Sequence, residues 1–369
     1  MRRTLPVVWA VLLVGAACTS PHGPKVVFSG PLTAFHIVYR VEDRAAGHRT
    51  ASTVNWWVRR PFDGRREVRA GAALGGRLLS LEVTSFGRSL VHNTGNAALV
   101  LAVPPQPPAG DLRFDRVDPQ VMRRWRRSTR TVAGRACQVL RLATSTANGG
   151  LLGARPTDHD HTDVCVDGRY LVLARTDVAG GKVVHDEKVV SLRVGSASVR
   201  DDLFTTPAPT LDLPHGSGFI RPVDPASRPP GVFYELTAPP GGYRLKGRYA
   251  TAPPQPENYR TDDPTTRAAR VAGVADVYTK GPDMIVVDRG GTLGGVAPFA
   301  ADPSPKRIDV ADLGAGELIE SLLVSNARIA LPDGHYLRVV GTAPSADVID
   351  LLRALRPQPG GELVYLDGP

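Results

Sequence analysis

Cysteine, lysine and recognisable catalytic motifs are all scarce in this chain of 369 residues. It has three cysteines, too few for a four-cysteine zinc site. The nucleophile elbow, the P-loop, the H-E-x-x-H helix and the C-x-x-C pair are all missing from the sequence. These absences argue against an enzyme, and we expect no catalytic residues and no cofactor.

Basic residues outnumber acidic ones, and nearly all of them are arginine. The formal charge is +9, and it includes Arg2 and Arg3 at the N-terminus. This arginine usage is open to two interpretations: it reflects genome composition, or it attracts the chain to anionic lipid or polymer surfaces. Glycine and proline number 38 and 33, which favours short strands and turns over long helices. The length suits about two domains.

The N-terminus has the pattern of an export signal. Arg2 and Arg3 precede the apolar run Leu5–Ala17, which is too short to span a bilayer comfortably. The segment ending at Cys18 resembles a bacterial lipoprotein signal, although Gly15 departs from its usual branched aliphatic residue. We therefore expect a signal peptide over 1–17, lipidation of Cys18, and anchoring to the outer face of the cytoplasmic membrane. The alternative is ordinary cleavage just before Cys18, which leaves a free thiol.

The two remaining cysteines suggest a disulfide. If Cys18 carries a lipid, Cys137 and Cys165 are left as one pair in an exported chain. A bridge between them would contribute about 3 kcal/mol by constraining the unfolded chain. Two buried, unpaired cysteines remain the alternative.

Residues 31–207 predict a curved antiparallel half-barrel. Apolar residues alternate with polar ones in several segments, as in half-buried strands, and Gly180-Gly181 marks a hairpin tip. The fold class is mainly β (α+β): a half-barrel with a covering helix, followed by a smaller α+β domain. The apolar face of the half-barrel would line a cavity, and its candidate residues are Ile37, Tyr39, Val54, Trp56, Val58, Leu79, Leu81, Val83, Leu99, Leu101 and Trp125.

Trp56 and Trp57 are adjacent in one predicted strand, so their side chains leave on opposite faces. The spacing from Val54 and Val58 places Trp56 on the apolar face. Either Trp56 is a core residue, or it lines a cavity for a hydrophobic ligand.

One helix is predicted within the half-barrel. Asp118 can cap it, Pro119 suits its first turn, and the sequence VMRRWRRST follows. Trp125 belongs to its apolar stripe, and four arginines surround that stripe. Such arginines either solvate a helix face or contact anionic headgroups. We expect no nucleic acid partner for an exported protein.

The second half of the chain is organised differently. Residues 18–30 form a tether and residues 208–230 a Pro-rich linker, each without periodicity. Residues 231–369 then predict a small α+β domain, which ends with a helix that Ser345 caps and Pro357 stops.

The polar cluster DHDHTD at residues 158–163 is the densest group of metal-ligating residue types. His159 and His161 are weak candidates as metal ligands, because adjacent loop residues seldom converge on one ion. A solvated loop between the cysteines is the other interpretation, and we predict no metal.

A family resemblance rests on several stretches. The half-barrel segments VAGRACQVLRL, VCVDGRYLVL and DDLFTTP resemble the LolA/LolB-like lipoprotein-carrier fold. The later segments PPGGYRL, VADVYTKGPDMIVV and VVGTAPSADVIDLLRAL resemble the RseB/MucB group of sigma-factor regulators. The resemblance implies binding of a lipid or acylated ligand in the first domain. It also implies contact with a membrane anti-sigma factor through the second domain. Members of that group are usually not lipoproteins, so the lipid anchor expected at Cys18 is a departure from it.

Two hypotheses follow. The first is a non-catalytic, membrane-anchored lipoprotein that binds a lipidic, acylated or lipoprotein-linked ligand in the half-barrel. The alternative is a regulator of an extracytoplasmic sigma factor that binds a membrane anti-sigma protein through the C-terminal domain.

Overall fold

The structure is a computed structural model that describes residues 24–45, 47–73, 75–86, 88–94, 98–102, 106–206, 220–251, 273–289, 305–331 and 336–366. Cys18, the predicted signal peptide and linker residues 208–219 lie outside the described residues. No helix within the described ranges has the length and apolar character needed to cross a bilayer.

The N-terminal part, residues 24–206, is built on one antiparallel sheet of eleven strands. Its strands are β1 (Ala34–Ala45), β2 (His48–Arg59), β3 (Asp63–Ala70), β4 (Leu78–Ser85), β5 (Arg88–Asn93), β6 (Leu99–Ala102), β7 (Arg126–Val132), β8 (Arg135–Leu142), β9 (His161–Asp167), β10 (Val172–Ala179) and β11 (Lys182–Val194). Two short helices, α1 (Pro119–Trp125) and α2 (Thr144–Ala147), accompany it. Short 3₁₀ turns occur at Phe114–Arg116, Ser196–Ser198 and Asp201–Phe204.

Two meanders meet at the centre of this sheet. The spatial order is β6-β5-β4-β3-β2-β1-β11-β10-β9-β8-β7. The first meander contains β1 to β6 and the second β7 to β11, and antiparallel pairing of β1 with β11 joins them. Strands β6 and β7 follow one another in the chain but lie at opposite edges of the sheet. The segment that joins them must therefore run from one edge to the other. The predicted fold class, mainly β with an open, curved half-barrel, is confirmed.

Alternation of apolar residues produces the inner face of the central strands. Tyr39 pairs with Val54, Ile37 pairs with Trp56, and these side chains pack in one hydrophobic cluster. The β10–β11 hairpin turns at Gly180-Gly181, both with positive φ (57° and 74°), as a tight two-residue turn requires.

The disulfide prediction is confirmed. Cys137 in β8 and Cys165 in β9 are bonded, their Cα atoms are 5.4 Å apart, and both are fully buried. Because these strands are neighbours, the bridge fastens two strands that already share a hydrogen-bond ladder.

The predicted helix is real but shorter than its sequence pattern. Asp118 accepts a hydrogen bond from the Gln120 backbone N–H at 2.6 Å, and Pro119 is the first helical residue. The helix ends at Trp125, and the following RRST begins strand β7, paired with β8. Tertiary pairing with β8 overrides the helical continuation of the pattern.

The C-terminal part, residues 220–366, contains a second antiparallel sheet of eight strands in the order β12-β14-β15-β16-β20-β19-β18-β17. The bounds are β12 (Ile220–Val223), β14 (Arg244–Thr251), β15 (Gly273–Lys280), β16 (Asp283–Arg289), β17 (Lys306–Val310), β18 (Gly314–Glu320), β19 (Ser325–Ala330) and β20 (Tyr336–Gly341). A two-stranded sheet pairs β13 (Val232–Glu235) with β21 (Arg356–Pro359). A 3₁₀ turn lies at Pro240–Gly242. Residues 220–223, within the predicted linker, thus form a strand of the second sheet.

Helix α3 (Ser345–Ala354) covers one face of this second sheet. Val348, Leu351 and Leu352 are fully buried, as their helical spacing predicts. Pro344, and not Ser345, occupies the N-cap position, so the helix begins one residue earlier than a cap at Ser345 would place it.

The two parts meet through buried side chains. Arg113 donates hydrogen bonds to Asp283 Oδ1 at 2.6 Å and to the Pro282 carbonyl at 3.1 Å. Arg116 donates to the Ala343 carbonyl at 3.0 Å. Leu322 of the C-terminal part is fully buried in a hydrophobic cluster of the N-terminal part.

Candidate functional site

A cavity of about 200 Å³ lies against the sheet of the N-terminal part. Its lining comes from six consecutive strands, β4, β3, β2, β1, β11 and β10. A flat sheet could not bring β4 and β10 to one cavity, so the sheet curves around it. The strand residues that line it are Tyr39, Val54, Trp56, Arg66, Glu82, Val172, Arg175 and Glu187.

The segment between β6 and β7 closes the open side. Ala109, Gly110, Asp111 and Leu112 line the cavity opposite the strands. This follows from the topology, since the chain must cross the mouth of the half-barrel to reach its other edge. We call residues 109–112 the crossing loop.

A buried ion pair holds the crossing loop in place. Arg60 donates two hydrogen bonds to Asp111, each at 2.6 Å, and both side chains are at most 3% exposed. Arg60 also donates to the Leu32 carbonyl at 2.6 Å and lies over the Phe35 ring. A bidentate pair of this kind fixes geometry as well as charge, so the loop has a defined position over the cavity.

Part of the cavity lining is apolar. Trp56 is half-buried and packs edge-on against Phe35, with ring centroids 5.5 Å apart. Tyr39 donates its hydroxyl hydrogen bond to the Val172 carbonyl at 2.9 Å, which satisfies its polar group and leaves its ring among apolar neighbours. Burial raises the pKa of Tyr39 well above its ordinary value, so the hydroxyl stays neutral.

The cavity adjoins a second space, and the two share charged lining residues. This space, of about 330 Å³, shares Val54, Arg66, Arg175 and Glu187 with the first. Arg66 is exposed there and makes no hydrogen bond or ion pair with any described residue. Arg175, by contrast, is held by Asp177 through two hydrogen bonds of 2.9 and 2.8 Å.

Glu187 is one of the carboxylates that line these spaces. It faces both spaces and accepts no hydrogen bond from a described residue. Burial raises its pKa, and the nearby His185, Arg66 and Arg175 only partly oppose that shift. The site therefore combines an apolar pocket with polar groups that are not consumed by internal pairing, the composition of a ligand site.

Some predicted cavity residues are brought together and others are not. Tyr39, Val54 and Trp56 line the cavity. Ile37 and Val58 lie in the same hydrophobic cluster but are fully buried, so they support the wall from within the core.

The register places two predicted residues on the other face. Trp56 pairs with Arg66, and Arg66 pairs with Glu82, so Glu82 is on the cavity side of β4 and Leu81 and Val83 are on the opposite side. Val83 and Leu81 pack there with Leu90 in a separate cluster. Leu79 lies where the β3–β4 register shifts, and it does not line the cavity.

The last predicted residues lie elsewhere. Leu99 and Leu101 belong to edge strand β6, and their side chains lie outside the described residues. Trp125 is half-buried in a cluster with Phe114 and Met122 and does not line the cavity. The crossing loop, and not the helix with Trp125, covers the cavity.

The two histidines of the DHDHTD loop do not converge. His161 is 5% exposed and bonds the Thr157 carbonyl through Nδ1 at 2.9 Å. His159 is exposed near Gly181. No group of three or more metal-ligating side chains is found within the described ranges.

Sequence reasoning missed the charged half of the site. Three charged residues occupy cavity-facing positions in their strands: Arg66, Arg175 and Glu187. A search for alternating apolar residues does not find them, because they are polar. It also missed the Arg60–Asp111 pair, because its members are 51 residues apart.

Comparisons with known proteins give a likeness of fold. No protein-family model matches, and no curated protein matches. Among solved structures, the chain is similar to MucB (16% identity, 88% of this chain and 93% of that chain, TM-score 0.28). It is also similar to a chain of the Pseudomonas aeruginosa MucA/MucB complex (16% identity, 89% of this chain and 94% of that chain, TM-score 0.31). A LolA superfamily protein from Nitrosomonas europaea matches over 49% of this chain and 93% of that chain (10% identity, TM-score 0.23). These are the kinds of protein that the sequence resembles, and the likeness concerns fold type alone.

Proposed function

We propose that the half-barrel binds a lipidic or acylated ligand without catalysis. The observation that carries the proposal is a covered cavity whose lining sets the apolar Tyr39, Val54 and Trp56 beside the charged Arg66 and Glu187. An amphiphile combines the same two kinds of group, so its chain would contact the apolar side chains and its headgroup the charged ones.

The size of the cavity constrains how the ligand enters. Pockets that enclose whole small-molecule ligands commonly measure about 300–1,000 Å³, whereas the first space is about 200 Å³. The adjoining space of about 330 Å³ supplies room for a headgroup. A longer acyl chain would need the crossing loop to move away from its place over Trp56.

Solvent extraction of the purified protein followed by mass spectrometry tests the proposal, together with titration by a fluorescent fatty acid. We expect co-purified lipid or saturable uptake. A protein that carries no lipid and takes up no fatty acid would contradict ligand binding.

The proposal includes an anchor at Cys18, which would hold the protein at the outer face of the cytoplasmic membrane. The supporting feature is the export signal and the segment ending at Cys18. Intact-mass measurement of the protein purified from membranes, beside Cys18→Ser, tests it. A wild-type mass equal to that of an unmodified chain would exclude lipidation.

A second candidate function is regulation of a membrane anti-sigma factor through the C-terminal part. The favouring observation is that the chain segment lining the cavity leads directly into Arg113 and Arg116, which contact the C-terminal part. A pull-down with the extracytoplasmic region of the anti-sigma factor encoded nearest to this gene tests it. Absence of binding would leave the ligand carrier as the only proposal.

A further inference from the structure

Five arginines form an exposed basic surface at one edge of the half-barrel. Arg123 and Arg124 lie on helix α1, and Arg126, Arg127 and Arg130 lie on edge strand β7. All five side chains are exposed. We call this set the arginine edge.

The arginine edge lacks internal charge partners. None of its five guanidinium groups makes a hydrogen bond or ion pair with a residue in the described part of the chain. The sequence contains no aspartate or glutamate from Pro119 to Thr157. By contrast, Arg135 and Arg141, which follow it, pair with Asp167 and Asp163. The positive charge of the edge is therefore not neutralised locally.

From this we propose that the arginine edge docks the half-barrel on an anionic lipid surface. Each arginine near such a surface gains attraction without needing a shaped pocket, and the gains add. The five residues span at most about 25 Å of extended chain, so one flat surface can engage them together. An acidic peptide would instead favour a groove, and three cavities among the described residues of the N-terminal part are not lined by these arginines.

The N-terminal entry of the chain lies beside the arginine edge. Phe28 stacks on Tyr170 with ring centroids 4.8 Å apart, and it packs in the cluster that contains Val121 and Trp125 of α1. The half-buried Trp125 stands between Arg124 and Arg126, a placement suited to the headgroup region. The chain at Phe28 therefore enters the fold on the side that the arginines would hold to the membrane.

Edge protection is the competing explanation. Charged residues on an edge strand discourage pairing with other chains, and β7 is such a strand. That role does not require Arg123 and Arg124, which lie on the helix and leave the strand edge untouched. These two residues therefore separate the explanations.

The test uses the full chain carrying Cys18→Ser, so that no attached lipid contributes. Co-sedimentation is measured with vesicles of phosphatidylcholine alone and of equal parts phosphatidylcholine and phosphatidylglycerol. We expect binding to the anionic vesicles only, weakened by salt. Arg123→Gln with Arg124→Gln should lower the partition coefficient by about tenfold or more, from the fivefold expected per arginine. The matched control is Arg44→Gln with Arg307→Gln, two exposed arginines elsewhere, which should change it less than about twofold.

Three results would overturn the proposal. Binding that is equal on both vesicle types would show apolar insertion. An equal loss in the two double variants would show a general charge effect. Binding to poly-glutamate without binding to anionic vesicles would identify an acidic polypeptide as the partner instead. The test is independent of the cavity, because the fatty-acid titration of the same variants should be unchanged.

Discussion

Arg113 donates a hydrogen bond to Asp283 across the contact between the two parts, with Nη2 and Oδ1 2.6 Å apart. Arg113 is 1% exposed and also holds Asp115 through hydrogen bonds of 2.9 and 2.8 Å. A single guanidinium therefore neutralises one carboxylate from each part of the chain.

Removing that guanidinium should destabilise the whole molecule. Arg113→Ala leaves Asp115 and Asp283 buried without their partner, which costs about 3–5 kcal/mol of unfolding free energy. Chemical denaturation of the wild-type protein and the variant measures this loss of unfolding free energy. Arg353→Ala, from an exposed ion pair with Asp350, is the control and should cost less than about 1 kcal/mol. An equally small loss for Arg113→Ala would mean that the contact is not formed in solution.

The neighbouring tryptophans allow a direct test of the cavity. Trp56→Ala should weaken binding of a fluorescent fatty acid by about tenfold or more, because it removes apolar wall surface. Trp57→Ala is the control, because Trp57 leaves on the opposite face and stacks on His36 at 4.4 Å. Thermal unfolding of both variants separates lost binding from lost folding. Equal weakening by the two variants would place the ligand outside the cavity.

Glu187 should make binding of an anionic amphiphile depend on pH. Its carboxylate opposes a negative headgroup, and burial raises its pKa. Protonation as the pH falls therefore strengthens binding of a fluorescent alkyl sulfonate, whose own headgroup stays ionised. Glu187→Gln should bind more tightly at neutral pH and lose this dependence. Glu362→Gln, at an exposed position, should keep the wild-type profile. A wild-type affinity that does not change with pH would contradict a headgroup position beside Glu187.

Much of the first sheet could be predicted from the sequence, and the face of one strand could not. Alternation identified β1, β2 and β4 as strands because each carries apolar residues at every second position. In β4, however, Leu81 and Val83 face away from the cavity, and Glu82 faces it. Alternation shows that a strand has two different faces. Only the register with its neighbours shows which face turns inward.

The ends of α1 and the closure of the cavity were also beyond local reasoning. RRST continues a helical pattern after Trp125, but pairing with β8 draws it into a strand. The crossing loop depends on Asp111 meeting Arg60, a contact that no local window of sequence contains. In contrast, the sequence correctly predicted the helix cap at Asp118 and the disulfide between Cys137 and Cys165.

Asp288 should reduce stability at neutral pH. It is 8% exposed, and its Oδ1 has no hydrogen-bond partner. Burial raises its pKa to about 6, although Arg338 and Arg289 act in the opposite direction. Between about pH 4 and 6, Asp288 binds a proton more readily in the folded state than in the unfolded state. The free energy of unfolding therefore falls as the pH rises from about 4 through about 6.

Replacing that carboxylate should remove the effect. Asp288→Asn is expected to raise the unfolding free energy at pH 8 by about 1–3 kcal/mol and to flatten its dependence between about pH 4 and 6. Denaturant titrations at several pH values measure both. Asp309→Asn, at an exposed position in β17, should shift stability by less than about 0.5 kcal/mol. A destabilised Asp288→Asn protein would mean that the carboxylate has a stabilising partner.

The disulfide should contribute through the unfolded chain. Cys137 and Cys165 are 28 residues apart, so Cys137→Ser with Cys165→Ser is expected to lower the unfolding free energy by about 3 kcal/mol. Denaturation of the oxidised protein and of the double variant provides the measurement. Reductant should reproduce the loss in the wild-type protein and leave the double variant unchanged.

The central pairing of β1 with β11 has a consequence for synthesis of the chain. Phe35 pairs with Val194, so one side of β1 has no partner until the ribosome has added the whole second meander. At translation rates of about 5–20 residues per second, that wait lasts on the order of ten seconds. Throughout it, a strand destined for the middle of the sheet behaves as an exposed apolar edge, the kind of surface that invites aggregation. The nascent chain therefore most needs protection by a chaperone at β1, the strand that is most deeply enclosed once folding is complete.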